Sequence, residues 1–93
     1  MDTHNDTTAD LSRIRKETTG FKMVVGAKQL KKALASGTAQ RVYLAQNADP
    51  ALTEPLSALC GQNGIPCTWV KTMKELGQAA GIEVGAAAAA AVR

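Results

Sequence analysis

Apolar residues along this chain fall into two spacings that alternate. Met23, Val24 and Val25 form a short unbroken apolar run between Gly20 and Gly26, which predicts a strand over Lys22–Val25. Leu30, Ala33 and Leu34 then recur at i, i+3, i+4 and predict a helix over Ala27–Ser36, closed by Gly37 as its C-terminal cap. Arg41–Gln46 reads as a second strand. Asp49 suits a helix cap and Pro50 the first helical position. The helix they open runs to about Gln62, with Leu52, Leu56, Leu59 and Cys60 inward. Pro55 falls early in it and is expected to distort or restart the first turn. Asn63-Gly64 ends it. Ile65–Val70 reads as a third strand, with Pro66 near its start. Thr72 and Glu75 form a capping box, opening a helix through Met73, Leu76 and Ala80 that stops at Gly81.

The segment Gly85–Val92 holds the uninterrupted alanines Ala86–Ala91. Propensity favours helix there, but so short an alanine run is not helical unaided. In a β-α-β-α-β-α order the missing piece is a final strand buried on both faces. Small side chains on it would let the flanking helices approach. Strand is the expectation, and helix is the competing one. The alternation defines an α/β layered domain. Residues 1–10 are polar and acidic without hydrophobic period and are expected to be disordered. Leu11 and Ile14, three apart, predict a one-turn helix that docks on the body before Gly20 interrupts. The division expected is a polar, partly disordered extension over 1–19 and one folded domain over 20–93.

At 93 residues there is room for one domain. The aromatics are Phe21, Tyr43 and Trp69, so the core must come from Ala, Val, Leu, Ile and Met, with Trp69 expected inside it. No apolar run approaches the roughly 18 residues of a membrane span, and the polar start does not read as a secretory signal. Cys60 and Cys67 lack metal-site spacing and read as inert core thiols of a cytoplasmic protein. His4 lies in the polar tail, and Asp49, Glu54, Glu75 and Glu83 form no obvious dyad. No nucleophile–base pair, P-loop or dinucleotide fingerprint is present. The chain is therefore expected to be non-catalytic, with no cofactor and no metal.

Charge adds a direction. Asp2, Asp6 and Asp10 fall in the first ten residues, and the remainder carries eleven Lys/Arg against five Asp/Glu. A basic body of this kind suits a polyanionic partner. The basic residues concentrate after Gly26, which lets the backbone turn straight from strand to helix close to a partner. Lys28, Gln29, Lys31 and Lys32 follow at a helix N-terminus, where amides and dipole favour phosphate. Gln29 has the donor and acceptor to read a base edge. Taken alone, three lysines on a helix are more often a solvated face. The segment Ile82-Glu83-Val84 between two glycines changes that balance. Its β-branched residues are either core pins or an exposed apolar platform for splayed bases, and Glu83 can accept from a base amino group. Arg41, Lys71 and Lys74 are candidates to extend the basic surface.

Two stretches resemble the L7Ae/L30e/S12e family. One is Val25-Gly26-Ala27-Lys28-Gln29-Leu30-Lys31-Lys32-Ala33-Leu34, followed by Ser36-Gly37 and Val42-Tyr43-Leu44-Ala45. The other is Lys74-Glu75-Leu76-Gly77-Gln78-Ala79-Ala80-Gly81-Ile82-Glu83-Val84-Gly85-Ala86. Ala48-Asp49-Pro50 and Gly64-Ile65-Pro66 match between them, so the resemblance covers about residues 20–92. It implies a three-layer α/β/α sandwich around a four-stranded mixed sheet (L30e-like). It also implies binding to kink-turn RNA, a helix–bulge–helix element bent at tandem sheared G·A pairs. Position by position, it puts Gly26, Lys28, Gln29 and Lys32 at the RNA groove. Ile82, Glu83 and Val84 fall over the extruded bulge nucleotides. Archaeal and eukaryotic members carry Asn-Glu where this chain has Lys28-Gln29, and often Pro where it has Gly85. The forms seen here resemble the short bacterial paralogues. A monomeric, ribosomal or ribosome-associated RNA-binding protein without membrane contact is the expectation. A protein–protein interaction module of the same fold with a regulatory role is the alternative.

Overall fold

The computed structural model describes residues 8–93; the disorder expected for residues 1–7, and His4, lie outside the described residues. The elements are α1 (Leu11–Glu17), β1 (Lys22–Val25), α2 (Ala27–Ser36), β2 (Ala39–Ala45), α3 (Pro50–Asn63), β3 (Cys67–Val70), α4 (Met73–Ala79) and β4 (Ala88–Val92). The sheet order is β1-β4-β2-β3. β4 is antiparallel to both its neighbours, and β2 and β3 are parallel. Strands β1, β2 and β3 therefore run the same way. Their C-terminal ends, the N-termini of α2, α3 and α4, and the segment leading into β4 all meet at one end of the sheet.

The alanine run is a strand, as the element order requires. Val25 pairs with Ala89 and Leu44 with Ala88, so β4 is hydrogen-bonded on both sides. Its residues are at most 7% exposed. Two complete ladders outweigh a helix preference worth less than about 1 kcal/mol per residue. Alanine suits this position because both faces are covered. On one, Leu30 and Leu34 of α2 and Leu56 and Cys60 of α3 pack on Val42, Leu44 and Ala90. On the other, Ile14 of α1 and Leu76 of α4 pack on Tyr43, Val70 and Ala89. The architecture is the three-layer α/β/α sandwich with a mixed four-stranded sheet.

Residues 8–17 belong to the packed body. Asp10 caps α1, accepting from the Arg13 amide at 2.8 Å, and Ile14 is fully buried. The helix has two turns rather than one. The Ala9 amide donates to the Trp69 carbonyl at 2.9 Å. That contact occupies one pairing group on the outer edge of β3.

Five local expectations are corrected. Pro55 neither breaks nor restarts α3, which runs unbroken from Pro50 to Asn63. Pro55 is exposed, so water reaches the carbonyl its missing N–H would have bonded. Leu52 is 40% exposed rather than inward, because at 100° per residue it falls to one side of the Leu56–Cys60 face. β2 starts at Ala39, and β3 starts at Cys67 because Pro66 contributes only its carbonyl, which accepts from Val42. Trp69 is half-buried at the core's margin, since β3 is the outermost strand.

Candidate nucleic-acid interface

β1 passes into α2 through Gly26 alone. Gly26 has φ +98°, a conformation that L side chains rarely adopt, and its amide donates to the Ala88 carbonyl at 2.9 Å. This bond ties the start of α2 to the start of β4, the strand that residues 81–87 feed. Two motifs distant in sequence are thereby held at one end of the sheet.

The N-terminus of α2 differs from those of the other described helices. Asp10, Asp49 and Thr72 cap α1, α3 and α4 with side-chain oxygens. Gly26 offers no side chain, and the first turn of α2 contains no acid. The first-turn amides and the positive end of the dipole are left facing outward, an arrangement that favours an anion.

Lys28, Gln29, Lys31 and Lys32 are all exposed, but they do not form one surface. Lys28 and Lys32 lie one turn apart on the outward ridge. Gln29 and Lys32 line a hollow beside Val24 and Val92, along the β1 edge of the sheet. Lys31 points about 160° away from Gln29 around the helix axis, onto the other flank. Among the described residues the ion pairs are Arg13–Glu17 at 2.9 Å and Arg41–Glu17 at 3.9 Å. The lysines of α2 take no part in them.

Arg41 is not brought to this surface. It lies on the α1 face of the sheet, opposite α2, with its guanidinium near Glu17. It pairs with Ala91, well along β4 from the Ala88 end. The cause is a bulge between Ala39 and Arg41. Ala39 faces the α2 layer, and the bulge turns Arg41 and Tyr43 to the other one. Lys74 is exposed in the first turn of α4, at the interface end of the sheet.

The segment 81–87 is clamped across α4. The Ile82 amide donates to the Gly77 carbonyl at 3.0 Å, and the Ala86 amide to the Met73 carbonyl at 2.9 Å. The Met73 amide donates to Asn47 Oδ1 at 2.8 Å, and the Ala45 amide to the Ala87 carbonyl at 2.9 Å. The two roles open to the β-branched pair are divided between them. Ile82 packs against the core, whereas Val84 is 70% exposed, more than Phe21 or Leu52. Glu83 is exposed beside it. The fixed loop thus leaves the Val84 side chain open to a partner.

Gly77 and Asn47 are positioning residues that the sequence reading did not single out. A Cβ at Gly77 would overlap the Val84 carbonyl. The available signal was a glycine inside an otherwise helical stretch, which lowers helix stability unless packing requires it. The two cysteines are elsewhere, in the α2–α3 core. Burial and the neighbouring Cys67 push the Cys60 thiol up to about 12, and burial raises Cys67 also. Both remain thiols at neutral pH. Among the described residues, no three His, Cys, Asp or Glu side chains are grouped to hold a metal ion, and no helix is long and apolar enough to cross a membrane.

Residues 9–93 match the family model described as "Ribosomal protein L7Ae/L30e/S12e/Gadd45 family". A Bacillus pumilus protein named "RNA-binding protein" is 44% identical over 68 residues, covering 73% of this chain and 83% of that one. "RNA-binding protein YbxF" of Geobacillus stearothermophilus is 43% identical over 72 residues, covering 77% and 88%. Among solved structures, the "Giardia lamblia 15.5kD RNA binding protein" superposes with a TM-score of 0.78 at 23% identity. That match covers 100% of this chain and 84% of that one.

Proposed function

This chain belongs to the ribosomal protein L7Ae/L30e/S12e/Gadd45 family, and on that premise we propose that it is a non-catalytic protein that binds kink-turn RNA. In this reading it acts as a monomer in a cytoplasmic, ribosomal or ribosome-associated particle. The observation that carries the reading is the Gly26–Ala88 hydrogen bond, with its consequence that the uncapped start of α2 and the Val84 loop share one end of the sheet. The relatives named as RNA-binding proteins support its coarser part, that the partner is RNA.

The division of labour follows from the chemistry. A kink-turn brings phosphates of two helical arms close together, so its folded form concentrates negative charge. The first-turn amides of α2 and the Lys28–Lys32 ridge neutralise that charge. Gln29 reads an exposed base edge beside the sheared pairs through its amide. Val84 covers an unstacked bulge base, while Ile82 anchors the loop and Glu83 accepts from an amino group. Gly26 permits close approach. Lys31, on the other flank, contributes to the general field and not to the groove.

The test is binding to an RNA kink-turn labelled on both arms. Submicromolar affinity, increased energy transfer on binding and weakening with salt are expected. Equal affinity for a straight duplex of the same length overturns the reading.

A further inference from the structure

A second surface lies at the same end of the molecule but on the opposite flank of the sheet. A hollow of about 400 Å³ opens between the first turns of α3 and the outer strand β3, lined by Gln46, Ala48, Pro50, Thr53, Glu54 and Trp69. Pro50, Thr53 and Glu54 come to one side of α3 because they recur at helical spacing. Trp69 stands beside them as the half-buried residue of the sheet's last strand.

Three features of the hollow are specific. Thr53 is 3% exposed, yet its hydroxyl has no hydrogen-bond partner among the described residues. Buried hydroxyls are normally satisfied, so this group is an unused donor and acceptor at the floor. Glu54 is exposed at the rim and takes part in none of the ion pairs of the described residues. Among the described residues no Lys, Arg or His lines the hollow, and Asp49 lies next to it in the chain. In a basic protein this is a local negative site with an aromatic wall.

The charge selects the ligand. A phosphate-bearing ligand would face Glu54 with no compensating cation among the described lining residues. A planar cation would stack on the Trp69 indole and pair with the Glu54 carboxylate. It would also donate to Thr53 Oγ1 and to the Gln46 amide oxygen. The guanidinium of arginine has the plane and the five donors to do all of these together; an ammonium has neither the plane nor the reach. The hollow is open along the surface, so the backbone bearing such a side chain stays outside. We propose that this hollow is a docking site for an arginine side chain presented by a protein partner. None of its residues belongs to the proposed RNA surface, so the two proposals fail independently.

Trp69 is the only tryptophan, so its emission and its indole N–H resonance report on the hollow directly. The full chain is titrated with a capped Gly-Arg-Gly peptide. The expected result is a saturable change at Trp69, at least about 5-fold tighter than with a capped Gly-Lys-Gly peptide. Glu54→Gln should weaken the arginine peptide by about 10-fold without moving the unfolding midpoint. Thr53→Val should weaken it without abolishing it. Absence of a saturable change overturns the proposal, as does equal response to the lysine peptide or an unaltered affinity in Glu54→Gln. Tighter binding of adenosine monophosphate than of the arginine peptide also overturns it, and marks the hollow as a nucleotide site.

Discussion

The Val84 carbonyl occupies the space that a Cβ at Gly77 would need. A helix-interior glycine therefore sets how close the 81–87 loop sits to α4. Gly77→Ala must push the loop outward or bend the helix. We expect a loss of about 1–3 kcal/mol in stability, measured by thermal unfolding. A several-fold loss of kink-turn affinity should accompany it, because Val84 moves with the loop. Unchanged affinity at reduced stability would separate the loop's position from RNA binding.

The two β-branched residues of that loop should respond oppositely. Ile82 packs against the core, and Ile82→Ala should cost about 1–2 kcal/mol. Val84 is 70% exposed, and Val84→Ser should stay within about 0.5 kcal/mol. If Val84 covers an unstacked base, Val84→Ser weakens RNA binding at an unchanged unfolding midpoint. Affinity equal to the parent protein's would remove Val84 from the interface.

The helical arrangement of α2 separates its polar residues by role. Lys28→Ala and Lys32→Ala should each reduce affinity for all RNA sequences and lower the slope of log affinity against log salt by about 1. Lys31→Ala should do neither to the same degree, because it points to the other flank. Gln29→Ala should keep the salt slope and lose preference for intact G·A pairs over substituted ones. A slope change in Gln29→Ala would mean that it contacts a phosphate.

Much of this was legible in the chain because the strands are short apolar runs set between glycines and capped helices. β4 was readable by elimination, since an α/β order needs a closing strand even where alanine propensity opposes it. The two interface segments were legible as motifs, but their convergence depends on strand order. Only the pairing of β4 between β1 and β2 brings Gly26 beside Ala88. Arg41 could not be placed correctly, because one bulge reverses the side-chain alternation of β2 and nothing local announces it. The docking of α1 was only partly visible. Ile14 is a lone buried residue in a polar helix, and its helix is fixed by a contact with Tyr43, 26 positions on from Glu17.

That contact makes a prediction for acid stability. Tyr43 is buried and its hydroxyl donates to Glu17 Oε1 at 2.8 Å, while Arg13 donates to Oε2 at 2.9 Å. Burial works to raise the Glu17 carboxyl, but the hydrogen bonds from Arg13 and Tyr43 and the charge of Arg41 outweigh it and hold the group below its ordinary value. The ionised form is thus favoured by folding. Its stabilisation is complete above the ordinary carboxylate range and is lost as pH falls through the depressed value. Tyr43 shifts the other way: burial, then Glu17, holds the phenol above its ordinary value. Its neutral form is favoured by folding, and that contribution declines as pH rises past the normal phenol range. Tyr43→Phe removes a hydrogen bond to a charged acceptor and should cost about 1.5–3 kcal/mol at neutral pH. It should also flatten both the acid and the alkaline limbs of the stability profile. Glu17→Gln should flatten the acid limb while leaving the first turns of α2, and hence RNA affinity at neutral pH, unaffected. Denaturant unfolding measured from about pH 3 to pH 11 reads both limbs. An acid limb of parent steepness in Glu17→Gln would show that the Glu17 carboxylate does not contribute to holding α1 on the sheet.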